Sequence, residues 1–293
     1  MTFRCSDGAL ERGDPIVGTA PPQRDWLLVE HPGPWPVNAP FDTDLPTALL
    51  RRLEHPRLRI LLIRPHGREA GRRESVDPAR RRWFRCVEGE LRTGQWDHPD
   101  DLLATSEPGA GAPYPGPLVL VCTHGVHDVC CAIKGRPVAA ALAREWREGT
   151  FECSHLGGDR FAPNVLLLPD GACYAGMSPE QSVTTVAAHL QGRVDVDRLR
   201  GVVGLHPAEQ VAQAAVLRRW GPAPVTSALP ALVEQTGTVD AGTWTVEVVG
   251  TAPLPRDVRV LVTSSRRAQA QLTCRAPRET QALQWDVVSL KSG

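Results

Sequence analysis

The segment that most constrains this chain is a short apolar run at residues 118–121. It leads directly into Cys122-Thr-His124-Gly-Val-His127-Asp128-Val-Cys130-Cys131 and then into an alanine- and leucine-rich stretch at 137–147. The order predicts a buried strand, a loop dense in sulfur and nitrogen donors, and a helix whose first turn accommodates Pro137. A second strand, at 150–154, leads into Glu152-Cys153-Ser154-His155-Leu156-Gly157-Gly158-Asp159-Arg160-Phe161. The paired glycines let that backbone turn tightly around a bulky centre and aim amides at it. The two loops are expected to meet at one end of a sheet.

Further elements extend the pattern. Residues 164–168 read as a buried strand, Pro169, Asp170 and Gly171 as a hairpin turn, and 172–175 as the returning strand. Ser178 starts a helix to about residue 190, with Gln181 completing a capping box. The fold class predicted is α/β, an α+β mixed sheet of thioredoxin-like type. Upstream the same order recurs faintly: a strand at 26–30, a turn at 31–36, a helix at 45–53, a strand at 58–63, an arginine-rich loop at 65–82 and a strand at 83–88. A duplication in which only the second copy kept its cysteines is one reading of this order. The low-complexity segment 106–117 marks the main boundary. The expected division is an α/β domain at 1–110, a cysteine-bearing domain at 117–200 and an extension at 201–293. In the extension, a helix at 207–220 precedes strand-like runs at 243–249, 258–263, 271–275 and 284–290, which predict an antiparallel sheet.

Thirty-three basic residues balance thirty-three acidic ones, so no basic field draws the chain to nucleic acid or anionic lipid. No apolar run reaches the roughly 18 residues of a membrane helix, and the N-terminus lacks the apolar core of a secretory signal. A cytoplasmic protein is expected. Eight cysteines in such a chain point to metal or redox use rather than a disulfide framework.

Thiolates with some histidine are the donors of iron-sulfur clusters. Zinc takes the same donor types, but eight residues separate Cys122 from Cys131, against two to four in the usual zinc knuckle. Thioredoxin-type exchange wants Cys-x-x-Cys ahead of the helix, and this sequence has no such pair.

The residues at this point resemble the sucrase/ferredoxin-like family, relatives of thioredoxin-like ferredoxins. The resemblance runs from GTAPPQRDWLLVEHPGPW through CTHGVHDVCCAIKGRP and SHLGGDRFAPNVLLLPDG to LRGVVGLHPAEQVAQAAVLRRWG. It implies a thioredoxin-like ferredoxin fold carrying a 2Fe-2S cluster, with two cysteine ligands in the first loop and two histidines four apart in the second. Carried over, the pattern places ligands at Cys122, Cys131 and His155. Where it expects the second histidine, this chain has Asp159. Cys153 is the favoured fourth ligand because thiolate is softer, with Asp159 as the alternative. The resulting expectation is a cluster held by Cys122, Cys131, Cys153 and His155 in an electron carrier, rather than a catalyst with its own substrate, served by a redox partner protein. Histidine ligation would make the potential fall by up to about 59 mV per pH unit between the His155 pKa values of the two redox states. Potentiometry across pH checks this, and a flat profile counts against the imidazole.

Competing readings are a metal-free thiol oxidoreductase using Cys122 or Cys131, and a zinc-stabilised interaction module. Cys130 reads as a small buried thiol, and Cys5, Cys86, Cys173 and Cys274 as buried or free thiols. His124 and His127 read as loop histidines bonded to backbone or water, with His127 paired to Asp128. Arg72, Arg73 and Arg80 to Arg82 read as a solvated loop, Trp35 as packing, and Gly157, Gly158 and Arg160 as too little for a phosphate cradle.

Overall fold

The purely apolar run before Cys122 is suited only to a strand covered on both faces, and it becomes one of ten strands in a mixed sheet. The structure, a computed structural model, describes residues 3–67 and 81–293. A short helix α1 (Cys5–Glu11) precedes β1 (Asp25–Glu30), α2 (Thr47–Leu53), β2 (Leu58–Pro65), β3 (Arg81–Val87), β4 (Glu90–Trp96) and β5 (Ala112–Pro113). The second half holds β6 (Leu118–Cys122), α3 (Val129–Glu145), β7 (Thr150–Cys153), β8 (Asn164–Leu168), β9 (Ala172–Ala175), α4 (Pro179–Leu190) and β10 (Leu199–Val202). Then follow α5 (Pro207–Trp220) and β11 (Ala228–Thr238), β12 (Ala241–Gly250), β13 (Asp257–Ala270) and β14 (Thr280–Ser292).

The large sheet runs β10-β9-β8-β6-β7-β2-β1-β3-β4-β5. Raising each N-terminal strand number by five reproduces the second half of that order. Directions match as well: β1 and β2 are parallel like β6 and β7, and every other neighbouring pair within a half is antiparallel. The halves are joined by an antiparallel seam in which Ile63, Arg64 and Pro65 face Cys153, Glu152 and Phe151. Two halves of matching strand order thus share one sheet, as the repeated element order suggests.

Strand alternation divides the core. Val119 and Val121 pack with Val138, Ala139 and Leu142 of α3, and Leu27 and Val29 with Leu49, Leu50 and Leu53 of α2. The opposite residues, Trp26, Leu28, Ile63, Phe84, Leu120, Cys122, Phe151 and Cys153, form a separate cluster. Because Cys122, Cys153 and Ile63 lie in register across β6, β7 and β2, the helices of both halves cover one face. The other face carries the cysteines.

The C-terminal sheet is antiparallel, in the order β11-β12-β13-β14. Its Trp244, Val246, Val260 and Val262 join the core containing Val211 and Val216 of α5. Two details differ from expectation. Residues 271–275 form no strand but part of the β13–β14 connection, and β11 supplies the fourth strand; apolar content alone does not tell a pairing segment from one pinned by side-chain bonds. Helix α3 begins at Val129 rather than near Pro137, because the Asp128 carboxylate accepts the Cys130 amide as an N-cap. Pro137 lies inside that helix.

The stretch 65–82 falls largely outside the described residues, Arg72, Arg73 and Arg80 among them. Arg82 bonds Glu30 at 3.3 Å, and Arg81 lies over the Trp96 ring at 4.8 Å. Among the described residues no helix is long and apolar enough to cross a membrane.

Candidate metal centre

Parallel β6 and β7 pair Cys122 directly with Cys153, so the loops that follow them leave the sheet at the same end. Helix α3 closes tightly over the first loop. An added Cβ at Gly135 would sit 2.2 Å from the Cys122 carbonyl oxygen, so only glycine permits this approach. Across the second loop, Gly157 and Gly158 have φ of +94° and +78°, the left-handed region that glycine enters freely. A Cβ on Gly158 would strike the Arg200 guanidinium.

These turns bring four side chains into a ring. Cys131 Sγ donates to Asp159 Oδ1 at 3.2 Å. His155 Nδ1 lies 3.1 Å from the same oxygen, an ion-pair contact with no aligned hydrogen bond. Cys122 completes the ring, beside both Cys131 and His155. Cys122, Cys131 and Asp159 are buried, whereas the His155 side chain is 26% exposed. His127 stacks on His155 with ring centroids 3.6 Å apart and stands 3.8 Å from Asp159 Oδ2.

The electrostatics follow from these contacts. The neighbouring Cys131 holds Cys122 well below the ordinary thiol value against the cost of burial, with His155 adding to the effect. Cys131, beside Cys122, buried and next to the Asp159 charge, is pushed up. Burial resists a charge on His155, but Asp159 and Cys122 overcome it and raise the imidazole to about 9. Asp159 is likewise opposed by burial and held low chiefly by His155. Two sulfurs, an imidazole nitrogen and a carboxylate oxygen are a donor set that iron accepts.

Cys153 sits deeper. It is wholly buried on the cysteine-bearing face, and desolvation, followed by the Cys122 charge, raises its thiol. The two candidates for the fourth position therefore separate by place: Asp159 touches Cys131 and approaches His155, while Cys153 lies beside Cys122 within the sheet. His124 is occupied elsewhere. Its Nδ1 accepts the His155 amide at 3.1 Å, leaving Nε2 to donate to the Pro36 carbonyl at 2.9 Å. His127 Nδ1 reaches the Val37 carbonyl at 3.2 Å, so both loop histidines bond backbone as read from the sequence. Trp35, also buried, meets His124 edge-on at 6.0 Å. Asp128 is committed to capping α3 rather than to His127.

Two arginines outside the sequence reading strap the second loop. Arg59 Nη2 donates to the His155 carbonyl at 2.6 Å. Arg200, 2% exposed, donates from Nη1 to the Gly157 carbonyl at 2.9 Å and to Asn164 Oδ1 at 2.8 Å, and from Nε to Thr19 Oγ1 at 3.1 Å. Nothing in the sequence distinguishes them from the many surface arginines. Glu152, beside Cys153, accepts two bonds from Arg64 at 2.8 and 3.0 Å, one from Thr123 at 2.8 Å, and meets His66 at 2.7 Å. Burial would raise this carboxyl, but Arg64 and Thr123 prevail and lower it. A depressed carboxyl contributes stability above its unfolded value, near 4.5 here, and loses it as pH falls through the lower folded value. Glu152→Gln is expected to lose about 2 kcal/mol at neutral pH and to flatten the acid limb of the stability profile. Urea midpoints on either side of pH 4.5 check this.

The model of the sucrase/ferredoxin-like family matches residues 16–204, nearly two thirds of the chain, and the chain belongs to that family. Solved structures similar to it include the thioredoxin-like 2Fe-2S ferredoxin from Aquifex aeolicus. A serine-for-cysteine variant of that ferredoxin is 20% identical with a TM-score of 0.26, over 29% of this chain and 97% of the ferredoxin. A second structure of the ferredoxin is 22% identical with a TM-score of 0.23, over 26% and 80% respectively. No curated protein matches the chain significantly.

Proposed function

We propose that this chain holds a 2Fe-2S cluster through Cys122, Cys131, His155 and Asp159 and passes single electrons between protein partners. The observation that carries the reading is the ring of donors from two loops, in which Cys131 and His155 both converge on Asp159 Oδ1 at 3.2 and 3.1 Å. Membership of the sucrase/ferredoxin-like family supports it. When bound, the cluster supplies a one-electron couple. The protein's own contribution is placement: Gly135 seats α3 against the Cys122 carbonyl, Arg59 and Arg200 fix the turn that presents His155 and Asp159, and the buried sulfurs are kept from water. His155 and its stacking partner His127 reach the surface, so a redox partner docks over these two imidazoles. The N-terminal half is read as the degenerate copy of the pair, supporting the site through its seam with β7.

Cys153 is the rival for the fourth position. Spectroscopy of anaerobically purified chains separates them: Asp159→Ala should lose or strongly shift the cluster signals while Cys153→Ser keeps them. The reverse outcome restores Cys153. A colourless chain in which Cys122 and Cys131 titrate as free thiols would instead favour a second reading, thiol exchange, for which the depressed Cys122 is the supporting observation.

A further inference from the structure

Four residues that the cluster does not use meet next to it. Cys5 opens α1, Asp128 caps α3, Cys130 is the second residue of α3, and Cys274 lies in the connection between β13 and β14. Their ligand atoms all fall within 4.8 Å of one another. Cys130 Sγ and Cys274 Sγ are 3.4 Å apart, and Cys5 Sγ stands 3.5 and 3.6 Å from the two Asp128 oxygens. Donors on a tetrahedron with metal–sulfur bonds of about 2.3 Å are separated by about 3.8 Å, so only small shifts of these side chains would seat an ion.

The carboxylate gives a second, independent reason. Asp128 is fully buried, and among the described residues no lysine, arginine or histidine forms an ion pair with it. Its oxygens accept the backbone amides of Cys130 at 2.9 Å and Cys274 at 2.7 Å, which leaves lone pairs free. Buried charges are ordinarily paired or bound to metal.

We propose that Cys5, Cys130, Cys274 and Asp128 form a structural site for a thiophilic divalent cation of the zinc type, independent of the cluster site. Binding breaks three S–H bonds, forms three metal–thiolate bonds and one metal–carboxylate bond, and releases three protons to solvent; no electron changes hands. The ion would fasten α1 and the C-terminal β13–β14 connection to the first turn of α3. That turn includes Cys131, so the staple backs one side of the cluster loop. Cys5 and Cys274 are separated by 269 positions, which is why sequence spacing gives no sign of the site.

The test is a titration of the reduced full-length chain with Zn2+, counted by elemental analysis in a Cys122→Ala background that disables the neighbouring centre. About one zinc per chain is expected, falling at least tenfold in affinity when Cys274→Ser or Cys5→Ser is added. Cys274 is partly exposed in a connection, so its serine variant removes a donor without opening the core. Co2+ titration of the otherwise unaltered Cys122→Ala chain needs no further variant and should give the intense absorption of tetrahedral cobalt thiolate. Failure to bind either ion, undiminished zinc binding in both serine variants, or a Cys130–Cys274 disulfide in anaerobically purified protein would each overturn the proposal.

Discussion

Cys122→Ala and Cys131→Ala chains are expected to purify with almost no iron or inorganic sulfide, against about two of each per chain for the unaltered protein. The two sulfurs are the innermost donors of the ring and come from a loop whose backbone is fixed at both ends, by β6 and by the Asp128 cap of α3. No other thiol of that loop substitutes for them, because Cys130 faces Cys274 instead. Cys86→Ala is the matched comparison. It removes a buried thiol from β3, where desolvation raises the group to about 12, and should leave the iron content unchanged. Iron and sulfide assays on anaerobic preparations decide the matter, and full occupancy in both ring variants would exclude these cysteines as ligands.

Arg200→Met is expected to be the most destabilising single change outside the hydrophobic core. The side chain is almost wholly buried, and its removal strands the Gly157 carbonyl, Asn164 Oδ1 and Thr19 Oγ1 without donors. Leaving buried acceptors unpaired costs about 1–3 kcal/mol each, so a loss of about 3 kcal/mol or more is anticipated. Lysine should not rescue it, because one ammonium cannot reproduce the planar fork that serves separate acceptors. Urea denaturation measures the loss. A midpoint equal to that of the unaltered chain would show that the strap is dispensable.

The strands bearing the site and the elements after them were largely readable in the sequence, apart from the start of α3. Residues 164–168, 172–175 and 207–220 coincide with β8, β9 and α5, and Ser178 with Gln181 caps α4 as the spacing implies. Dense apolar runs and local caps carry their own instructions. Helix α1, strands β4 and β5 and the long β11 left no such mark: α1 is only seven residues, and β4 and β11 are largely polar or exposed. The same limit governs the site. The family resemblance points to Cys122, Cys131 and His155, and Asp159 could be weighed against Cys153. Choosing between them depends on the turn at Gly157 and Gly158, whose direction Arg200 sets from beyond β9. Long-range partners of that kind are not encoded in spacing.

The seam between β2 and β7 bears on how the molecule could be dissected. Cutting within 106–117 severs the chain between two halves that nonetheless share one continuous hydrogen-bonded ribbon. A fragment beginning there would carry β7 as a bare border flanked by apolar side chains, an invitation to self-association. Each half therefore acts as the other's edge protection, which gives the N-terminal half a structural role whatever chemistry the second half carries.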